Sequence, residues 1–299
     1  MASPGLRPDR MNRIDIQRGL ADVTDEEVRR LCDFVYRKTG MMFAEEKRYY
    51  INRRLAERME ATECTSFQVY FATLRADADN EIEHLINSFT VNETYFYRED
   101  HQFRCLTSTL LEVITPKKKA GEPVRIWSVP CSTGEEPYSI AIWLLENWDK
   151  VDRYEIEIVG SDIDTTVLRA AEAGTYGERA LMRLSKDLIA RYFTKLDDGR
   201  YRILPELSST LQFTKANIVD AGQTGAHRNF DVIFCRNILM YFDDTSRRLA
   251  AENLYESLRP GGFICLGHTE SMSRITSLFD VCRFSDAIVY RRPLGESHG

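Results

Sequence analysis

The sequence predicts an α/β fold: a doubly wound, Rossmann-like sheet with a small antiparallel β insert, preceded by an all-α N-terminal domain. Three observations predict it. Up to about residue 115 the apolar residues recur at helical spacing. From residue 124 short strand-like runs alternate with helical stretches. That rhythm breaks once, around Asp198-Gly199, where an Asp-Gly pair between apolar-rich runs signals a hairpin.

Residues 1–20 are polar and arginine-rich and read as a flexible arm. The helical domain spans 21–115. Thr24 with Glu27 three residues on forms a capping box, Val28, Leu31, Cys32 and Val35 follow at helical spacing, and Gly40 ends the helix. A second helix covers 45–60 with Ile51, Leu55 and Met59 on one face. A third starts near Thr65, a fourth carries Ile82, Leu85, Ile86 and Phe89, and a fifth runs from about 99 to 114. Pro, Gly and three lysines mark 116–123 as a linker. The second domain, 124–299, has strands expected at 124–129, 155–161, 211–214, 230–235 and 263–266. Its helices are expected at 138–148, 165–173 and 245–258. The β insert falls at about 185–210, and 279–284 with 287–291 make an antiparallel pair at one edge.

Composition sets bounds on function. At 299 residues, 43% apolar and 29% charged, the chain can bury a sizeable core. A net charge of -6 gives no support to nucleic-acid binding. The seven cysteines are odd in number and scattered, with no CxxC pair, which points to reduced thiols in a cytoplasmic protein and to no metal site. No apolar run is long enough to insert in a membrane.

The segment 130–137, Pro-Cys-Ser-Thr-Gly-Glu-Glu-Pro, runs from the first strand into a helix. A strand, a tight turn and a helix N-terminus make a ligand cradle at the carboxyl edge of a sheet. Here Glu135 and Glu136, exposed by position, stand where a pyrophosphate would be repelled, and the GxGxxG fingerprint is absent. Asp162 ends the second strand, where an acid commonly accepts ribose hydroxyls, while Asp164 is better placed to cap the next helix. These acids suit a ligand with an amine and a sulfonium, and S-adenosylmethionine has both. Asn217 and Ile218 follow the third strand, where an amide and an apolar side chain suit adenine. Arg236, Asn237 and Tyr241 follow the fourth. Cys131 is expected to pack, and His268 to be structural.

Five motifs, in order, resemble the chemotaxis receptor glutamate methyltransferases (CheR): Asn-Glu-Thr-Tyr-Phe-Tyr-Arg at 92–98, Cys-Ser-Thr-Gly-Glu-Glu-Pro-Tyr-Ser at 131–139, Gly-Ser-Asp-Ile-Asp at 160–164, Arg-Asn-Ile-Leu-Met-Tyr-Phe at 236–242, and Leu-Arg-Pro-Gly-Gly at 258–262 with Leu-Gly-His-Thr-Glu at 266–270. Pro130, where Ala or Gly is common, and Thr269, where Ser is common, are the departures. The resemblance implies a class I methyltransferase sheet and transfer of a methyl group from S-adenosylmethionine to glutamates of a chemoreceptor. S-adenosylhomocysteine is the product. It implies that Asn92, Thr94, Arg98, Glu135, Asp162, Asn217, Ile218, Arg236 and Asn237 contact the cofactor, and that Arg98 and Tyr241 lie closest to the transferring methyl. Asn92 to Arg98 would then reach the site from the helical domain.

Between Lys47 and Arg58 five basic residues face Glu57 alone. Beside the resemblance, Lys47, Arg53, Arg54 and Arg58 read as a docking face for the acidic cytoplasmic helices of a receptor. The compact 195–201 hairpin is expected to bind without the receptor's C-terminal tether, and the protein is expected to act as a monomer.

Overall fold

The computed structural model describes residues 23–295; the arm expected at 1–20 lies outside them. The chain forms two compact units that divide between Val91 and Asn92.

The first unit is helical. Helix α1 is Asp25–Thr39, α2 Arg48–Ala61, α3 Phe67–Ala76 and α4 Glu81–Phe89. The capping box starts α1: Glu27 N donates to the Thr24 hydroxyl (3.3 Å) and Thr24 N to the Glu27 carboxylate (3.0 Å). Gly40, at φ 75°, closes the helix in the left-handed region that glycine tolerates best. Leu31, Val35, Ile51, Leu55, Met59, Phe67, Tyr70, Leu74, Leu85 and Phe89 form the unit's core.

The second unit opens with α5 (Asp100–Cys105), a π-turn over Leu106–Leu110 and α6 (Leu111–Ile114). A single helix was the sequence expectation. The Thr107 hydroxyl reaches back to the carbonyls of Phe103 and Arg104 and accepts from the Trp143 indole, so side-chain bonding competes with a regular helical ladder. Then come β1 (Val124–Ser128), α7 (Glu135–Asn147), β2 (Ile156–Asp162), α8 (Thr165–Ala173) and β3 (Thr175–Tyr176). Next are α9 (Glu178–Leu181), α10 (Lys186–Tyr192), β4 (Phe193–Lys195), β5 (Tyr201–Ile203) and α11 (Pro205–Ser208). The chain closes through β6 (Leu211–Lys215), α12 (Ala221–Thr224), β7 (Phe230–Cys235), α13 (Asp244–Ser257), β8 (Leu258–Leu266), β9 (Asp280–Arg283) and β10 (Ile288–Arg291).

Among the described residues the main sheet has seven strands, ordered β6-β2-β1-β7-β8-β10-β9. The first five are parallel, and β10 and β9 are antiparallel at the edge. Parallel strands are covered on both faces, which explains the unbroken burial of β7, Phe230 to Cys235. The chain runs from β1 outward to β2 and β6, then returns to β7 on β1's other side. The topological switch therefore lies between β1 and β7, and a ligand crevice is expected at their carboxyl ends. A separate sheet, β3-β5-β4, is the β insert. It begins earlier than the 185 expected, because the two-residue β3 is too short to leave a sequence signal.

The unit boundary also differs from the sequence reading. Phe103, Leu106, Leu110 and Leu111 are fully buried in the same core as β1 and β7. Each such side chain contributes about 1.5–3 kcal/mol, which ties residues 100–114 to the sheet. The supposed linker 116–123 is likewise anchored. Lys118 is buried, donating to Pro123 O and pairing at 2.8 Å with Asp231, a fully buried acid of β7. Arg259 pairs with the same carboxylate at 2.9 Å.

Candidate functional site

Four strand ends and their following turns build the site. After β1, Gly134 (φ 93°) turns the chain into α7. A Cβ there would lie 2.9 Å from the Ala171 side chain, so this glycine serves the turn and its packing on α8. Ser132 is also left-handed, at φ 49°. The Tyr176 hydroxyl, from β3, donates to Thr133 O at 2.9 Å and holds the turn from outside. Cys131 is fully buried, and burial pushes its thiol well above its usual pKa, as suits a packing residue.

The two adjacent acids diverge, and neither is the exposed group expected. Glu135 is only 4% exposed. Thr133 Oγ1 donates to its Oε2 at 2.6 Å, and burial raises its pKa. Glu136 accepts from Ser128 Oγ (2.7 Å) and pairs with Arg236. It is a structural counter-ion, not a free first-turn acid.

Asp162 is buried at the end of β2, where its carboxylate accepts from Ser132 N (2.9 Å) and Asp164 N (3.0 Å). Burial nonetheless raises its pKa to about 6. Asp164 caps α8, accepting from Thr166 N and Val167 N. After β6, Ala216 N donates to Asp162 O, and the buried Asn217 and Ile218 follow. Their loop is held by Asn217 N to Gln223 Oε1 (3.0 Å) and Asn253 Nδ2 to Ile218 O (2.9 Å).

After β7, Arg236 is almost fully buried. Its guanidinium pairs with Glu136, donates twice to Arg98 O at 2.9 Å, and lies over the Phe103 ring. It therefore fixes the backbone of Arg98 to the end of β7 and the start of α7. Asn237 is left-handed, at φ 61°. Glu270 braces this stretch: its carboxylate accepts from Asn237 N (2.9 Å), Leu239 N (2.7 Å) and Gly267 N (2.9 Å). Tyr241 ends a 3-10 turn over Leu239–Tyr241 and is half-buried. His268 is exposed and bonds Glu99 at 3.2 Å.

The segment from Asn92 to Arg98 belongs to the second unit and does not reach in from the helical one. Phe96 is fully buried with its ring edge-on to Tyr176 and Phe193, Phe96 N donates to Ala180 O, and Tyr97 N to Ser139 Oγ. Asn92 Nδ2 donates to Asp164 Oδ2 at 2.9 Å. Thr94 is half-buried, and Arg98 folds back on Glu93 O with its guanidinium over Tyr95.

Among the docking candidates the structure separates roles. Arg58 is bound to Glu81, itself 2% exposed, and Tyr70 OH donates to the same carboxylate. It holds α2 to α4 and leaves the proposed face. Arg53 and Arg54 both bond Glu57, and Arg54 lies over Tyr50. Lys47 is exposed beside Tyr49, which is 82% exposed.

Sequence reasoning missed three contributors, Glu99, Glu270 and Ser132, and misread the role of Glu136. Glu99 and Glu270 are held by partners 137 and 33 residues away in the chain, and Glu136 by one 100 residues on. Ser132 has a buried hydroxyl without a partner among the described residues, inside the cradle turn. A cleft of about 230 Å³, lined by Met240, Arg247, Arg248 and Arg274, opens beside the Tyr241 turn.

Two buried acids, which accept, and an orphan hydroxyl at the strand ends form a polar set suited to an amine and ribose hydroxyls, and hostile to phosphate. S-adenosylmethionine fits it.

Two family models match the chain: the CheR methyltransferase all-alpha domain over residues 26–90 and the CheR methyltransferase SAM binding domain over residues 92–288. The chain is 45% identical over 272 residues to chemotaxis protein methyltransferase 2 of Vibrio cholerae, covering 91% of this chain and 94% of that protein. It is 33% identical to the chemotaxis protein methyltransferase of Escherichia coli, covering 86% and 88%. It is 32% identical to that of Borreliella burgdorferi, covering 84% and 90%.

Proposed function

The chain belongs to the CheR methyltransferase family and uses S-adenosylmethionine, and we propose from that premise that it methylates glutamate side chains of a chemoreceptor's cytoplasmic domain. The products are glutamate methyl esters, made in chemosensory adaptation. The observation that carries the reading is the pair of buried acids, Glu135 after β1 and Asp162 at the end of β2, in a chain whose motifs also supply Arg98 and Tyr241.

Glu135 takes the methionyl amine and Asp162 the ribose hydroxyls. Asn217 and Ile218 take adenine. The bound cofactor supplies a methyl group on a positively charged sulfur. A glutamate with a pKa near about 4.3 is ionised at neutral pH, so the chain needs no general base. Its task is alignment, which removes up to about 7–11 kcal/mol of barrier. Arg98 orients the substrate carboxylate. Too tight an ion pair would damp the nucleophile, so positioning is its role. Tyr241 orients the same group by hydrogen bonding. Arg236 acts indirectly, by fixing the Arg98 backbone.

Lys47, Arg53 and Arg54 are the receptor-docking set, with Arg58 removed from it. The compact hairpin between β4 and β5 supports binding that does not depend on a C-terminal receptor tether.

Arg98→Ala tests the assignment. Turnover on a receptor fragment is expected to fall at least about 100-fold, with the thermal midpoint unchanged. Unchanged turnover removes Arg98 from the chemistry.

A further inference from the structure

His227 lies outside every motif and directly before β7, yet it is 8% exposed and elaborately bonded. Its ring lies flat on Trp127, with centroids 4.6 Å apart and planes 9° from parallel. A chain of polar contacts runs through it. Trp127 Nε1 donates to Ser161 Oγ at 2.8 Å, and Ser161 Oγ lies 2.7 Å from Thr214 Oγ1. Thr214 Oγ1 is 3.0 Å from His227 Nε2, and His227 Nδ1 is 3.2 Å from Gln223 O.

The carbonyl end and the buried, neutral ring together set the direction of the hydrogens between them. The Gln223 carbonyl can only accept, so His227 Nδ1 carries a hydrogen and donates to it. Burial lowers the ring's pKa and favours its neutral form, with the hydrogen on Nδ1. Nε2 then accepts from Thr214, and Thr214, its own hydrogen used, accepts from Ser161.

The chain joins two parts of the cofactor site. Ser161 precedes Asp162, and Thr214 is its register partner across β2 and β6. At the other end Gln223 receives Asn217 N on Oε1 (3.0 Å) and donates to Asp220 Oδ2 (2.8 Å). We propose that His227 is a positioning residue for cofactor binding: it locks the loop carrying Asn217 and Ile218 to the strand carrying Asp162. This rests on the reading that Asn217 and Ile218 seat adenine.

The test uses the whole protein and two probes, S-adenosylhomocysteine and adenosine, the latter lacking the methionyl arm. His227→Phe keeps the stack on Trp127 and removes both polar contacts. Thr214→Val cuts the same chain one link away. Each is expected to weaken both probes by a similar factor, about tenfold, to raise KM for S-adenosylmethionine likewise, and to leave kcat within about twofold. The double variant is expected to lose less than the product of the two, because they cut one chain. Unchanged affinity in both folded single variants overturns the proposal, as does a loss confined to kcat. If His227→Phe fails to fold, Thr214→Val decides alone. Asn217→Ala separates the two readings. If it weakens adenosine while the chain variants do not, the positioning role fails alone. If it leaves adenosine binding unchanged, the adenine seat itself is wrong and the proposal falls with it.

Discussion

Asp162 shows how one residue's environment sets both stability and function. Its pKa in the fold, about 6, lies above the value near about 3.9 in an unfolded chain. A raised acid works against the usual sign. Asp162's own contribution to the ligand-free fold is greatest below about pH 4 and is lost as pH rises through about 6, where a buried charge must form. Ribose hydroxyls need the ionised form as acceptor. Affinity for S-adenosylhomocysteine is therefore expected to fall as pH drops from 7 to 5, with Asp162→Asn weak and flat across that range by calorimetry. A wild-type affinity flat over the same range contradicts the ribose role. Glu135→Gln removes a charge-assisted bond worth about 1.5–3 kcal/mol, so affinity is expected to drop roughly 10- to 100-fold. Asp162 was legible in the sequence because its role follows from its place at a strand end. The fate of Glu136 was not, because its counter-ion, Arg236, lies 100 residues away and only the sheet order brings them together.

At the scale of elements, the Glu136–Arg236 pair joins the end of β7 to the start of α7. Removing one partner leaves a buried charge unmatched, which costs about 3–5 kcal/mol. Arg236→Met is expected to lower the thermal midpoint and turnover together, and Glu136→Met with Arg236→Met to restore stability more than activity. Stability loss that the double variant fails to relieve contradicts a pairing role. The same reasoning separates the arginines of α2. Arg58→Met is expected to destabilise the helical unit, since Glu81 is left buried, whereas Arg53→Glu is expected to weaken receptor methylation with stability and cofactor affinity intact. Equal loss of methylation and cofactor affinity in Arg53→Glu argues against docking. Sequence periodicity located the long helices and the parallel strands well, down to the caps at Thr24 and Asp164. It failed where a local signal was weak or overruled: the π-turn at Leu106–Leu110, the two-residue β3, and a lysine-rich stretch that looks like a linker until Lys118 meets Asp231. A run of like charges on α2 was likewise read as one surface, although one of its members faces inward.

For the whole molecule, the proposed roles fall on separate units: the docking candidates Lys47, Arg53 and Arg54 on the helical unit, and the proposed cofactor residues on the sheet unit. All the motif residues from Asn92 onward belong to the second unit, so the proposed chemistry draws on a single folded body. If the compact hairpin means independence from a tether, removing the receptor's C-terminal tail is expected to change the methylation rate less than about twofold. A large loss of rate on removing the tail contradicts that reading. The central claim is that glutamate carboxylates of a chemoreceptor receive the methyl group. Incubating the protein with methyl-labelled S-adenosylmethionine and a receptor cytoplasmic fragment tests it most directly. Label is expected on the fragment at glutamate positions, released by mild base as methanol. An unlabelled fragment, or label that resists base, contradicts it.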